Sequence, residues 1–303
     1  MPNAFPPASP TIAGDYLTVS RFLNTPTLVA RRMRTLAEQR LISTTILTGR
    51  ETVSGGAISF EQNEGLFTDR PVEAVSPGGE YPITTVGDGS AQLAKVVKWG
   101  QDTFVTDESA KRKAMSAVDK ALLKLINSAA KNVDTVALAA IASSVTQSQA
   151  AAAAWSAASG VQILRDILKA KAALSALNQG YEADTLVIDD LTWALIASDA
   201  TLINAIARET QSNAVVTGNF ELVAGLRIMR TPNLPGTGAW ILDSAQLGGI
   251  ATEDLGGNYD KVDGILESKS MRDDDNDQWR LRARAVAVPY INEPNAAIRI
   301  TGI

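Results

Sequence analysis

Apolar positions recur at three- and four-residue spacing through TDESAKRKAMSAVDKALLKLINSAAKNVDTVALAAIA, where Met115, Val118, Leu122, Leu125, Ile126, Ala129, Val133 and Val136 share one side of a helix. Thr106 is placed to cap that helix, Asp107 and Glu108 suit the positive end of its dipole, and the basic residues begin a turn later. Roughly 25–30 helical residues span on the order of 40 Å, longer than a small domain requires. The spacing therefore predicts a beam across the molecule. A shorter helix is predicted from Pro26 through PTLVARRMRTLAEQRLI, with Leu28, Met33, Leu36, Ala37 and Leu41 near one side and Arg31, Arg32, Arg34 and Arg40 over much of the rest.

Residues 44–86 change to short alternating runs broken by Gly55-Gly56, Pro77-Gly78-Gly79 and Pro82. The stretch AISFEQNEGLFTDRPVEAVSPGGEYPITT alternates like a sheet but has too few large apolar side chains to build a core. A two-stranded ribbon is marginally stable by itself, so this one needs a surface to lie on. A further strand, AQLAKVVKWGQDTFV, leads into the long helix. Residues 160–255 then read as mixed α/β, with helices at VQILRDILKAKAALSAL and LTWALIASDATLINAIA and strands at TLVID, LRIMRTP and AWILD. The chain closes with strands at KVDGILESKS, QWRLRARAVAVPY and AAIRITGI, which are expected to pair with the strand before the long helix.

Composition removes whole classes of chemistry. The 303 residues include no Cys and no His, which excludes disulfides, thiolate nucleophiles, cysteine- or histidine-ligated metals and every imidazole-based triad. A net charge of -5 argues against a surface built wholly for nucleic acid, because phosphate binding rests on Lys and Arg. The first 25 residues, rich in Pro and small side chains, read as an extended arm with no signal-peptide pattern, and no stretch is apolar enough to span a bilayer. A soluble, cytoplasmically made protein is expected.

Three clusters invite chemical readings. The turn DDDND, Asp273 to Asp277, offers oxygens for a hard cation but lacks EF-hand spacing, and ordinary turn chemistry explains it. Asp189-Asp190 follow a strand, where α/β folds keep chemistry, yet Asp before a helix is also a cap. Arg280, Arg282 and Arg284 share one face of a strand and read as solvated arginines, because the interleaved aromatics of a single-strand binder are missing. Gly248-Gly249 and Gly256-Gly257 fit no nucleotide fingerprint and read as loop hinges.

The succession resembles the major capsid proteins of tailed bacteriophages, the Hong Kong 97-type fold. AISFEQNEG followed by a strand and DTFVTDESAKR looks like that family's extended loop running into its spine helix. GLRIMRTPNLPGTGAWILDSAQLGGIATED looks like the late strands of its axial domain, and RLRARAVAVPYINEPNAAIRITGI like its closing strands. The resemblance implies an α+β fold with N-arm, extended β-ribbon loop, peripheral domain with a long spine helix, and α/β axial domain. It implies the division 1–43 (arm and basic helix), 44–90 (ribbon), 91–134 (peripheral domain), 135–255 (axial domain) and 256–303 (peripheral return).

It further implies a structural protein, with no catalytic residues and no cofactor, that assembles into pentamers and hexamers of an icosahedral head around double-stranded DNA. Its partners would be further copies of itself, a separate scaffolding protein, a portal and a decoration protein, with no membrane. Assembly would take place in the host cytoplasm. Some members carry a fused scaffolding segment, which the short stretch before the ribbon leaves no room for. Others join subunits through a Lys on the extended loop, whereas this chain has no Lys before Lys95. The alternatives are a carboxylate- or Mg-dependent enzyme using Asp189, Asp190 or Asp273 to Asp275, and an encapsulin-like cargo shell.

Charge suggests where subunits meet. Residues 61–80 carry Glu61, Glu64, Asp69, Glu73 and Glu80 against Arg70 alone, an acidic finger. Lys111, Arg112 and Lys113 repel one another and oppose the helix dipole, so an acidic neighbour would relieve both. Arg31, Arg32, Arg34 and Arg40 are the candidates for an inner, DNA-facing surface.

Overall fold

The structure is a computed structural model that describes residue 19 and residues 22–37, 41–113, 115–157, 159–199, 222–236, 238–262 and 264–303. The later part of the helix expected over 191–207 and Arg40 lie outside the described residues. Helix α1 spans Pro26–Ala37, α2 Ser43–Ile46, α3 Asp107–Lys113, α4 Met115–Ser144, α5 Ile163–Ala176 and α6 Asp190–Ser198. Two sheets and a separate ribbon complete the fold.

The first sheet is organised by β13 (Gln278–Ile291). It pairs antiparallel with β4 (Val97–Thr106), β12 (Leu266–Asp273) and β10 (Gly248–Glu253); β1 (Gly49–Val53) adds parallel to β10, and β11 (Asp260–Lys261) antiparallel to β12. The two-residue period of β13 puts Trp279, Leu281, Ala283, Ala285 and Ala287 on one face. These side chains share a core with Val118, Leu122, Leu125, Ile126 and Val133 of α4. Alanines at three of the five positions leave room for a helix to lie close along the strand. At 30 residues and about 1.5 Å per residue, α4 is on the order of 45 Å long. The expected beam is present as α4, preceded by the short helix α3, whose start is capped by Thr106: its Oγ1 accepts from Ser109 N–H at 3.3 Å. Val29 and Met33 bring α1 into the same core, against β12 and α4.

The second sheet runs β5 (Ser148–Ala150), β14 (Ala297–Thr301), β9 (Ala239–Leu242), β6 (Thr185–Ile188), β8 (Leu226–Arg230), β7 (Leu222–Val223). Every residue of β6 and β9 is buried, which is why TLVI and AWIL read as unbroken apolar runs. Ile163, Ile167 and Leu174 of α5 and Ile196 of α6 share this core.

Of the closing strands, β13 pairs with β4 as expected, but β14 joins the second sheet instead. Alternation specifies which face of a strand is buried without specifying its partner. Gly248 and Gly249 are strand residues, not loop hinges. A Cβ on Gly249 would stand 2.5 Å from both the Gly49 carbonyl oxygen and the Tyr290 hydroxyl, so the parallel approach of β1 to β10 requires glycine there. The helix α2 interrupts the region read as strands, and its first N–H groups are met by Asp134 of α4. The Oδ1 of that buried carboxylate accepts from Ser43 N–H at 2.9 Å.

Candidate intersubunit surfaces

The ribbon consists of β2 (Ala57–Gln62) and β3 (Ser90–Lys95), which pair antiparallel as a sheet of their own among the described residues. Regular pairing is confined to this root, and residues 63–89 form no strand. Among the described residues nothing covers the apolar side chains of this segment, so a longer ladder has no surface to pack on.

The root is fastened to the subunit by groups that sequence reading did not single out. Glu253 Oε1 accepts from the N–H groups of Gly55 and Gly56 at 3.1 Å each. Asn63 N–H reaches the Asn292 carbonyl at 3.1 Å, and Gln62 Nε2 donates to the Ile291 carbonyl at 2.9 Å. Glu293 accepts from Glu64 N–H through one carboxylate oxygen, at 3.2 Å, and from the Tyr181 hydroxyl through the other, at 2.8 Å. Burial, and then this carboxylate, push the Tyr181 hydroxyl above its ordinary pKa.

Beyond the root the tip is open. Leu66 and Phe67 are each 61% exposed, Val86 75%, Tyr81 81% and Ile83 85%, and Val72 is fully exposed. Asp69 accepts from the Thr85 hydroxyl at 2.7 Å, and Arg70 pairs with Glu73 at 2.9 Å. The finger's one cation is thus held within the finger, and Glu61, Glu64 and Glu80 stand exposed. Lys111, Arg112 and Lys113 are exposed on α3, with no ion pair among the described residues. The structure does not bring the acidic finger and this triplet together within one subunit. On α1, Arg31, Arg32 and Arg34 are exposed, and Arg32 Nε stands 3.3 Å from Asp119 Oδ1 of α4.

The alternating arginines of β13 are not a solvated stripe. Arg282 lies directly across from Asp102 of β4 and forks onto its two oxygens at 2.6 and 2.8 Å, with Arg280 joining the same carboxylate. The Arg282 hydrogen bond, opposed by partial burial, holds Asp102 below the usual carboxylate range. Arg284 pairs with Glu267 of β12, and its guanidinium carbon lies 3.5 Å from the centre of the Tyr259 ring. A sequence shows the period of the arginines but not the carboxylates that the register sets opposite them.

The remaining acidic clusters resolve into structural contacts. Asp189 Oδ1 accepts from Thr192 N–H at 3.1 Å, which makes it the cap of α6. In the turn 273–277, Asp274 and Asp277 lie 2.9 and 3.5 Å from Arg272, which also holds Asp107 at 2.6 Å. Asp273 accepts from Gln278 and Asn276, bonds that keep it below its ordinary pKa. No described helix is long and apolar enough to cross a membrane.

Residues 89–300 match the model of a family described as phage capsid protein. No curated protein sequence matches the chain. Among solved structures, the fold is similar to the capsid of the cyanophage P-SCSP1u, at 15% identity and a TM-score of 0.62, covering 86% of this chain and 87% of that one. A phage-related protein of Bordetella bronchiseptica is similar at 12% identity and a TM-score of 0.59, over 91% of this chain and 96% of that one. A virus-like particle from Pyrococcus furiosus is similar at 13% identity and a TM-score of 0.53, over 89% and 96%.

Proposed function

The chain belongs to the phage capsid protein family, and on that premise we propose that its ribbon is the arm by which one subunit of the shell holds the next. It is a structural major capsid protein with the Hong Kong 97-type α+β fold. The observation that carries the proposal is the tip of the ribbon, where Leu66, Phe67, Val72, Tyr81, Ile83 and Val86 are all exposed in an isolated subunit. Apolar surface returns about 25 cal/mol for each Å² removed from water. A contact that every subunit both gives and receives recovers it throughout a closed shell.

In the same reading, the protein forms the pentamers and hexamers of an icosahedral head around double-stranded DNA, assembled in the host cytoplasm. Residues 1–43 serve as arm and basic helix, 44–90 as ribbon, 91–134 and 256–303 as peripheral domain and 135–255 as axial domain. Arg31, Arg32, Arg34 and Arg40 face the packaged DNA without reading its sequence. A separate scaffolding protein, a portal and a decoration protein complete the particle, and the subunit itself catalyses nothing.

Negative-stain electron microscopy with size-exclusion chromatography tests this directly. Rings, capsomers or shells from the purified chain are the expected result. A monomer or dimer at every concentration, with a cation-dependent activity, would overturn it.

A further inference from the structure

Strand β4 is hydrogen-bonded to β13 along one edge, and among the described residues nothing takes up the other. An open ten-residue edge is a template for another strand, and proteins ordinarily shorten, cover or charge such edges. The strand carries Lys98 near its start, and its central charge, Asp102, is taken up by Arg280 and Arg282 of β13; Asp107 and Glu108 follow its end, with Asp107 held by Arg272. Between β4 and α4 lies an open cavity of about 450 Å³, lined by Trp99, Gln101, Ser128, Ala129 and Asn132.

Residues 80–88, EYPITTVGD, match this edge feature by feature. Tyr81, Ile83 and Thr85 alternate with Pro82, Thr84 and Val86, the period of a strand, yet the segment has no strand partner among the described residues. Tyr81 and Ile83 are among the most exposed apolar side chains of the molecule. Glu80 and Asp88 close the segment with negative charge, and Lys98 near the start of β4 is the one basic side chain of the strand. Pro82 lacks an N–H, so in an added strand it must face away from the ladder. That parity turns the backbone of Tyr81, Ile83 and Thr85 toward β4, and leaves Pro82 blocking any further strand.

We propose that residues 80–88 of a second copy of this chain add to the free edge of β4 as a strand, with the Tyr81 and Ile83 side chains over the cavity between β4 and α4. The proposal rests on the reading of the ribbon as an intersubunit arm and gives that arm a receiving surface and a bonding mode. Backbone bonds supply the attachment, and the cavity selects the side chains of the partner, as in other strand-addition complexes.

The natural absence of Cys makes the test clean. Subunits carrying Ile83→Cys are mixed with subunits carrying Gln101→Cys or Thr103→Cys, assembled, oxidised and run on a non-reducing gel. Paired strand residues have Cα atoms about 4.5–5.5 Å apart, within reach of a disulfide. A linked dimer from assembled particles in one of the two mixtures, and in neither without assembly, is the expected result. Amide exchange on the unmodified protein should slow at both β4 and residues 80–86 on assembly. No link in either mixture, with β4 exchanging as fast in particles as in free subunits, overturns the strand addition. If removing the tip also leaves assembly intact, the reading of the arm fails with it; if removal blocks assembly, the arm stands and only its seat on β4 is wrong.

Discussion

Arg284 Nε stands 2.7 Å from Glu267 Oε2, with the two side chains only 10% and 8% exposed. The pair joins β13 to β12 beside Tyr259, whose ring covers the guanidinium. Desolvating two charges is costly, so such a pair specifies register more than it adds stability, but removing one partner leaves a buried charge alone. Glu267→Ala should therefore destabilise the unassembled subunit by about 3–5 kcal/mol. Glu267→Leu combined with Arg284→Met should recover most of that loss. Urea denaturation of the three variants checks it.

A second prediction concerns acid. The folded protein holds Asp102 below its ordinary pKa, chiefly through Arg282. The unfolded chain therefore binds this proton more readily, so the clamp's contribution is complete above the unfolded carboxylate value of about 3.9 and is lost as the pH falls through the lowered folded value. Asp102→Asn should weaken the subunit at neutral pH and flatten its stability profile below about pH 4. Thermal melts from pH 7 down to pH 3 test this, and an unchanged slope in the variant would contradict it.

Charge between subunits gives a third. Lys111, Arg112 and Lys113 have no acidic partner among the described residues, and the proposed arm would bring the exposed Glu61, Glu64 and Glu73 of a neighbouring subunit to them. Exposed pairs contribute only about 0–1 kcal/mol each, so the effect belongs to assembly rate and salt sensitivity rather than fold stability. Reversing the three basic residues to Glu should block assembly at low salt, and reversing the three acidic ones to Lys in the same chain should partly restore it. Light-scattering kinetics supply the measurement; unchanged assembly in the first variant would count against the pairing.

The elements most legible in the sequence are those whose burial is set by their own period. The helix α4, the alternating strand β13 and the fully buried β6 emerge from spacing alone, and the cap roles of Thr106 and Asp189 from residue type before a helix. What the sequence hid depends on register. Asp102 and Glu267 are ordinary strand carboxylates until β4 and β12 are set beside β13, and Glu253 and Glu293 gain meaning only where the ribbon root crosses them. Asp134 shows the same limit, because an acidic residue inside a helix looks solvated until α2 arrives to donate to it. Burial pushes that carboxyl up, the opposite direction from Asp102.

The central claim is that the ribbon tip works between subunits and not within one. Replacing residues 64–88 with a short Gly-rich turn joins β2 to β3 across the gap and leaves the root contacts of Gly55, Gly56 and Gln62 in place. Analytical ultracentrifugation and a thermal melt of that variant address the claim together. The account predicts a subunit that melts cooperatively within a few degrees of the unassembled parent and sediments as a single chain under conditions where the parent forms particles. Particles of normal size, or a subunit that no longer folds, would contradict it.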